Sequence, residues 1–358
     1  MTPKPDSRTY YSHLDGLKGF ACLMILLAHY AGIYKYAESF APPVPVLDAV
    51  NHSAFSSLFD EFWLTLFFLI SGYLVSKSRV ESGQELLFRS LRRFFRFAFP
   101  VLFSCAVIYL IELGLGFHNT ETASLFRCTW FQEAYSEPVT LPDVLVSPFA
   151  VLLAGDARIN GPYWVLRLMF FSSLLIYLLR FLMTRWKAAA YPVLTACLLL
   201  VITVLSFFVS PIMTSCLAGM LLALYEDCLA ATRRRAVLCL AAAALLIVLL
   251  PGDMKYLVFQ VLGLLFLPRL RLLRGLLCSG PALWLGKLSW GIYSFHWPLI
   301  CSVGALSLLR LSTHLGLLAA YLLGFLIVLP ATLALSAVYA RTLDPLAARL
   351  TKKIIVSK

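Results

Sequence analysis

Apolar runs separated by short polar intervals fill most of the chain, and ten of them approach the roughly 20 residues that a helix needs to cross a bilayer. They lie at about 17–36, 58–76, 94–113, 163–182, 189–207, 211–228, 236–252, 254–268, 284–306 and 316–340. The pattern predicts an all-α, polytopic membrane helical bundle of about ten transmembrane helices. No repeat, low-complexity tract or soluble domain interrupts it. A single transmembrane domain over residues 1–358 is therefore expected, with a long loop at about 114–162 and a short tail at about 341–358. Inside that loop, Asp143–Ala154 is apolar but too short to cross, which predicts an interfacial or re-entrant piece.

Composition strengthens the membrane reading, with 61% hydrophobic residues, 13% charged residues and a mean hydropathy of +0.85. Charge then orients the bundle. With the N-terminus placed inside, 24 of the 30 lysines and arginines fall in inner segments and five in outer loops, while Arg167 lies within a span. A missed or extra helix would scramble that split, so an even number of crossings with both termini cytoplasmic is expected. The net charge of +12 thus reflects topology, and its dispersal over six inner segments argues against nucleic-acid binding. The first apolar run is too long for a signal-peptide core and is expected to be retained. The nine cysteines show no metal-ligand spacing and read as small core hydrophobes, so no metal site is expected.

Polar residues inside the apolar runs are the candidates for chemistry. His29 stands deep in the first run, where an ionisable side chain is costly. Lys18 precedes it by eleven residues, so on a helix the two share one face, about 16 Å apart along the axis. Asp15 and Lys18, at i and i+3, are placed to pair at the inner mouth. Taken alone, His29 is open to four readings: general base, nucleophile, proton-relay member or helix-packing hydrogen bonder. His296 follows Lys287 by nine residues, which sets it about 13 Å in from the inner edge, near the depth of His29. Pro298 lacks an amide hydrogen and crowds the Ser294 carbonyl, so a kinked or open helix is expected there.

Three further groups stand out. Ser71 and Gly72 interrupt a bulky apolar helix with a hydroxyl and room for close backbone approach, by a helix or by a ligand. Arg89, Arg93 and Arg96, at i, i+4 and i+7, form a stripe at the entrance of the third span, which suits either positive-inside topology or a phosphorylated ligand. Trp164 and Arg167 sit near the outer end of the fourth span, where Arg167 can snorkel, pair with an outer carboxylate or bind a polar acceptor.

Read in order, these blocks resemble the acyltransferase-3 family of multipass membrane O-acyltransferases. The resemblance is carried by Leu14-Asp-Gly-Leu-Lys-Gly-Phe-Ala21 with Lys18 ahead of His29, and by Phe67-Phe-Leu-Ile-Ser-Gly-Tyr73. Arg93-Phe-Phe-Arg96 with Pro100, Leu285-Gly-Lys-Leu-Ser-Trp-Gly-Ile-Tyr-Ser-Phe-His-Trp-Pro298 and Asp344-Pro345 complete it. Two departures stand out: Met169 occupies the place of an acid common in the family's middle span, and Lys18 replaces the commoner arginine, losing its bidentate fork.

The resemblance implies transfer of an acyl group, most often acetyl, from cytoplasmic acyl-CoA to a hydroxyl on a carbohydrate or cell-envelope glycan presented from the other side. Acyl-CoA is then a donor substrate, with no tightly bound cofactor, and the bilayer, the donor and the glycan acceptor are the partners. A bacterial inner membrane is the implied location. Lys18, Arg89, Arg93 and Arg96 would hold the phosphates of CoA, and His29 would act as base or acyl carrier beside His296 and Asp15. Ser71, Gly72, Tyr293, Trp164 and Arg167 would meet the oxyanion or the acceptor. Two other classes compete: a proton-coupled transporter or flippase of a polar or lipid-linked substrate, and a catalytically weak acyl-CoA sensor. The internal symmetry expected of a transporter is not found in the sequence.

Overall fold

The computed structural model describes residues 11–36, 62–186, 190–226 and 254–356. Among these residues the chain is helical, without strands. The first half contains α1 (Ser12–Lys35), α2 (Phe62–Ser76), α3 (Gly83–Leu115), α4 (Asn119–Phe126), α5 (Leu141–Phe149), α6 (Trp164–Arg185), α7 (Pro192–Phe207) and α8 (Pro211–Tyr225). The second contains α9 (Met254–Phe266), α10 (Arg271–Leu277), α11 (Gly280–Leu299), α12 (Ala305–Leu315), α13 (Leu317–Arg341) and α14 (Leu343–Val356).

Five helical stretches among the described residues are long and apolar enough to cross a membrane: Ser12–Lys35, Gly83–Leu115, Gly161–Arg185, Gly280–Leu315 and Leu317–Ile354. These match, to within one residue at an end, the runs read at 17–36, 94–113, 163–182, 284–306 and 316–340. Shorter helices occupy the runs at 58–76, 189–207 and 211–228: α2, α7 and α8 have 15, 16 and 15 residues, or about 22–24 Å at 1.5 Å per residue. At 254–268 the helix α9 ends in the turn Leu267–Arg269 and bends by 94° into α10, the pair counting as one further broken span or as a re-entrant loop. The run at 236–252, with Arg233–Arg235, lies outside the described residues, as does the start of the run at 58.

The chain divides into two compact units. One comprises residues 1–21, 61–93 and 168–286. Its tightest contact joins α2 and α8 through small residues: a Cβ on Gly72 would fall 1.8 Å from the Cys216 carbonyl oxygen, and one on Gly219 would fall 2.1 Å from that of Leu69. The close approach that Gly72 permits is thus made by a helix. The first turns of α1 and α11 meet in the same way, with Gly19 against the Gly286 nitrogen at 2.3 Å and Gly286 against the Asp15 carbonyl oxygen at 2.4 Å.

The other unit comprises residues 22–60, 94–167 and 287–358. Its core gathers Tyr30, Ile33, Phe126, Phe131, Trp297 and Ile300 among others, all buried. Tyr30 donates to the Tyr321 carbonyl at 2.6 Å and Tyr321 returns a bond to the Tyr30 carbonyl at 3.1 Å, which pins α1 to α13. The apolar segment read as too short to cross is the helix α5 followed by a π-helical turn, Ala150–Ala154. It begins on a capping box between Thr140 and Asp143 and stops at Gly155, whose φ of +77° is open to glycine.

Candidate active site

Pro298 organises the region around His296. It cannot donate to the Ser294 carbonyl four residues earlier, and an unpaired carbonyl at that depth is costly. The Asn160 side-chain amide fills the vacancy, donating to the Ser294 oxygen at 2.8 Å. The neighbouring residues extend this staple. Tyr163 donates to Ser294 Oγ at 2.8 Å, and its oxygen lies 2.5 Å from Ser104 Oγ, while Tyr293 donates to the Pro162 carbonyl. Past the proline the helix widens into a π turn, Ile300–Gly304, and the backbone amide of His118 and the hydroxyl of Thr122 reach the Cys301 and Ala305 carbonyls at 2.9 and 3.0 Å.

His296 is held by this frame against His29, with ring centroids 4.9 Å apart. Each ring places Nδ1 2.9 Å from the carbonyl four residues earlier, Ile25 for His29 and Ile292 for His296. A carbonyl only accepts, so Nδ1 carries the hydrogen in the neutral ring and Nε2 keeps its lone pair. His296 is fully buried and its Nε2 has no partner among the described residues, whereas His29 is half-buried. Trp130 stacks on His29 at 6.3 Å and packs on Trp297 at 4.8 Å, and Trp297 lies edge-on to His29 at 5.6 Å. Two neighbouring imidazoles with unprotonated Nε2, beside Trp130 and Trp297, can accept a proton or attack an electrophile.

The structure brings together His29, His296 and Tyr293, whose ring is 6.2 Å from that of His296. The Tyr293 hydroxyl spends its hydrogen on Pro162. Arg167 donates to the Ala154 carbonyl at 3.2 Å and lies along Gly155, and Trp164 is largely exposed. Arg96, also exposed, is a charge acting on Asp344. Sequence reasoning did not single out Asn160, Tyr163, Trp130 or Trp297 for the site. The orphan carbonyl that Pro298 creates at Ser294 was the available signal for Asn160.

In the first unit, Lys18 pairs with Asp15 at 2.8 Å as the i, i+3 spacing predicts, and Asp15 stands fourteen residues before His29 on the same helix. Arg93 donates to Ser71 Oγ at 2.8 Å and to Ser173 Oγ at 3.0 Å, so the hydroxyl of the Ser71-Gly72 pair serves the arginine stripe. Arg89 is half-buried, with no partner for its Nε among the described residues.

A buried imidazole paired with a half-buried one, on helices of membrane-spanning length, defines a membrane protein with a candidate proton-handling centre. A family model described as an acyltransferase domain matches residues 11–341, nearly the whole chain, and the chain belongs to this acyltransferase-3 family. It is a membrane acyltransferase. No curated protein and no solved structure matches it.

Proposed function

We propose that the protein moves an acetyl group from cytoplasmic acyl-CoA to a hydroxyl of a carbohydrate or cell-envelope glycan. We further propose that it does so in a bacterial inner membrane, as one domain of about ten crossings with both termini inside. The observation that carries this reading is the imidazole pair, anchored through Nδ1 and open at Nε2. The acceptor oxygen bonds to the thioester carbonyl carbon and the carbon–sulfur bond breaks. Nε2 of His29 takes the hydroxyl proton and the departing CoA thiolate recovers one. His296 shares that proton across the short gap between the rings. Aromatic walls keep water from competing as acceptor.

Lys18, Arg89, Arg93 and Arg96 are assigned to the phosphates of CoA, as bases near the end of α1 that opens the chain and along α3. Trp164 and Arg167, exposed near the start of α6, are assigned to the acceptor side. Ser71 is assigned to holding Arg93 rather than to the oxyanion, because its hydroxyl receives that guanidinium.

The test is transfer of radiolabelled acetyl from acetyl-CoA by the purified protein. Loss of a general base lowers rate by about 10²–10⁴. His29→Ala is therefore expected to lose at least about a hundredfold, and Arg93→Gln to weaken acetyl-CoA binding about tenfold with the fold retained. Turnover indifferent to His29 sinks the mechanism. Label that stays on wild-type protein and is absent from His29→Ala would identify His29 as the acyl carrier. Saturable binding without turnover would identify a sensor.

A further inference from the structure

A polar cavity lies entirely within the first unit, at the end of α1 opposite to His29, which stands sixteen residues after His13 along the chain. It has a volume of about 260 Å³, well above the ~30 Å³ share of one water. His13 at the start of α1, Tyr73 from α2, Glu226 after α8 and Arg269 at the α9–α10 bend line it, with leucines such as Leu222 and Leu264 between them. Glu226 is already satisfied: it accepts from Tyr73 at 2.6 Å and from Lys77, whose ammonium also stands 4.8 Å over the Tyr73 ring.

The remaining groups are not satisfied. Arg269 donates one N–H to the Leu265 carbonyl at 2.9 Å, and no carboxylate pairs with it among the described residues. His13 is 4% exposed, and its Nδ1 has no partner there. Arg274 is a second cation acting on that imidazole. A half-buried guanidinium fork and an imidazole with a buried, unpartnered ring nitrogen, both lining one cavity, are the complement of a phosphate, which brings up to two negative charges and three acceptor oxygens. Pro268 and the 94° bend explain why the fork is there: the helix stops, and Arg269 turns into the cavity instead of continuing along the helix face.

We infer that this cavity is a binding site for a phosphate monoester, with Arg269 and His13 on the phosphate oxygens and the leucines against the group that bears it. Such a phosphate comes either from the nucleotide end of a soluble donor or from an anionic lipid headgroup. The inference does not depend on the donor being acetyl-CoA, because the lipid source is tested separately.

The experiment measures, by calorimetry on the full chain in phosphatidylcholine nanodiscs, the binding of adenosine 3′,5′-bisphosphate and of short-chain phosphatidic acid. At least one should bind. Arg269→Gln is expected to weaken that binding at least tenfold and His13→Gln about threefold. Arg271→Gln makes the same charge change at an exposed position outside the cavity and should stay within twofold. Arg269→Lys keeps the charge and loses the fork, and serves if the glutamine variant does not fold, with about threefold loss expected. Nucleotide binding assigns the soluble source and lipid binding the membrane source. Binding of neither probe, or equal losses in Arg269→Gln and Arg271→Gln, overturns the site.

Discussion

His29 and His296 use the same nitrogen for the same purpose, each tying Nδ1 to the carbonyl one helical turn back. That bond fixes ring orientation and tautomer together, and leaves the nitrogen farther from the backbone for chemistry. Nitrogen-15 spectra of ring-labelled protein should therefore show an unprotonated Nε2 on both rings in the resting state. Protonated Nε2 on His29 would remove its capacity as base. The glycines at the α2–α8 contact have a different logic. Gly72 and Gly219 each stand where any side chain would enter a neighbouring backbone, so Gly72→Ala or Gly219→Ala should cost about 3 kcal/mol, read as a lowered unfolding midpoint in detergent.

A titratable pair outside the spans gives a pH test. The Arg158 guanidinium beside Asp156 holds its carboxyl below the usual carboxylate range, against the opposing effect of partial burial. A depressed folded value means that the stabilising contribution is complete above the ordinary carboxylate pKa and fades as pH falls through the lower folded one. Hydrogen exchange of residues 155–160 should accordingly quicken only in that acid window. Arg158→Gln should quicken it at neutral pH and flatten the acid dependence, while no change would show that the pair does not order the loop.

At the scale of elements, the two histidines were legible from their depth in apolar runs, as was the Asp15–Lys18 pair from its helical spacing. Pro298 announced a disturbed helix. Its form was not legible, because a missing amide can be answered by a kink, a water or a distant donor. Here Asn160 answers it from a loop more than a hundred residues away, and nothing local to either segment encodes that meeting. Trp130 was hidden for a similar reason, being one aromatic in a four-residue helical turn, Thr129–Gln132, with no periodicity to expose it. The staple carries its own prediction. Asn160→Val leaves the Ser294 carbonyl unpaired in an apolar setting, at a cost of about 1–3 kcal/mol. With His296 less firmly held, kcat for acetyl transfer should fall while KM for acetyl-CoA stays unchanged. A fall in stability with kcat intact would make Asn160 structural only.

For the whole molecule, the distribution of basic residues carries information that helix length does not. Among the described residues, five helical stretches satisfy length and apolarity together, while α2, α7 and α8 are each about 22–24 Å long against a hydrocarbon core of about 30 Å. Length alone would leave those helices undecided. Their surfaces differ: on α7, Val193, Leu194, Leu200, Val201, Val204 and Leu205 are all more than half exposed, as on a lipid-facing helix, whereas α2 and α8 are mostly buried. Short helices cross where the bilayer thins or flanking residues complete the span. If every apolar run crosses, the inner segments hold 24 of the 30 lysines and arginines, whereas dropping a run from the middle of the chain, such as 189–207, reverses every later segment and erases the asymmetry. Tags at the two termini should then both be shielded from protease in right-side-out vesicles, and a tag inserted at Arg158, in the long loop, should be cleaved. Termini on opposite sides would require an odd number of crossings. That result would separate Lys18 from Arg89, Arg93 and Arg96 only where the change fell at 17–36 or 58–76, the two runs between them, and a tag in the 77–83 segment would decide it.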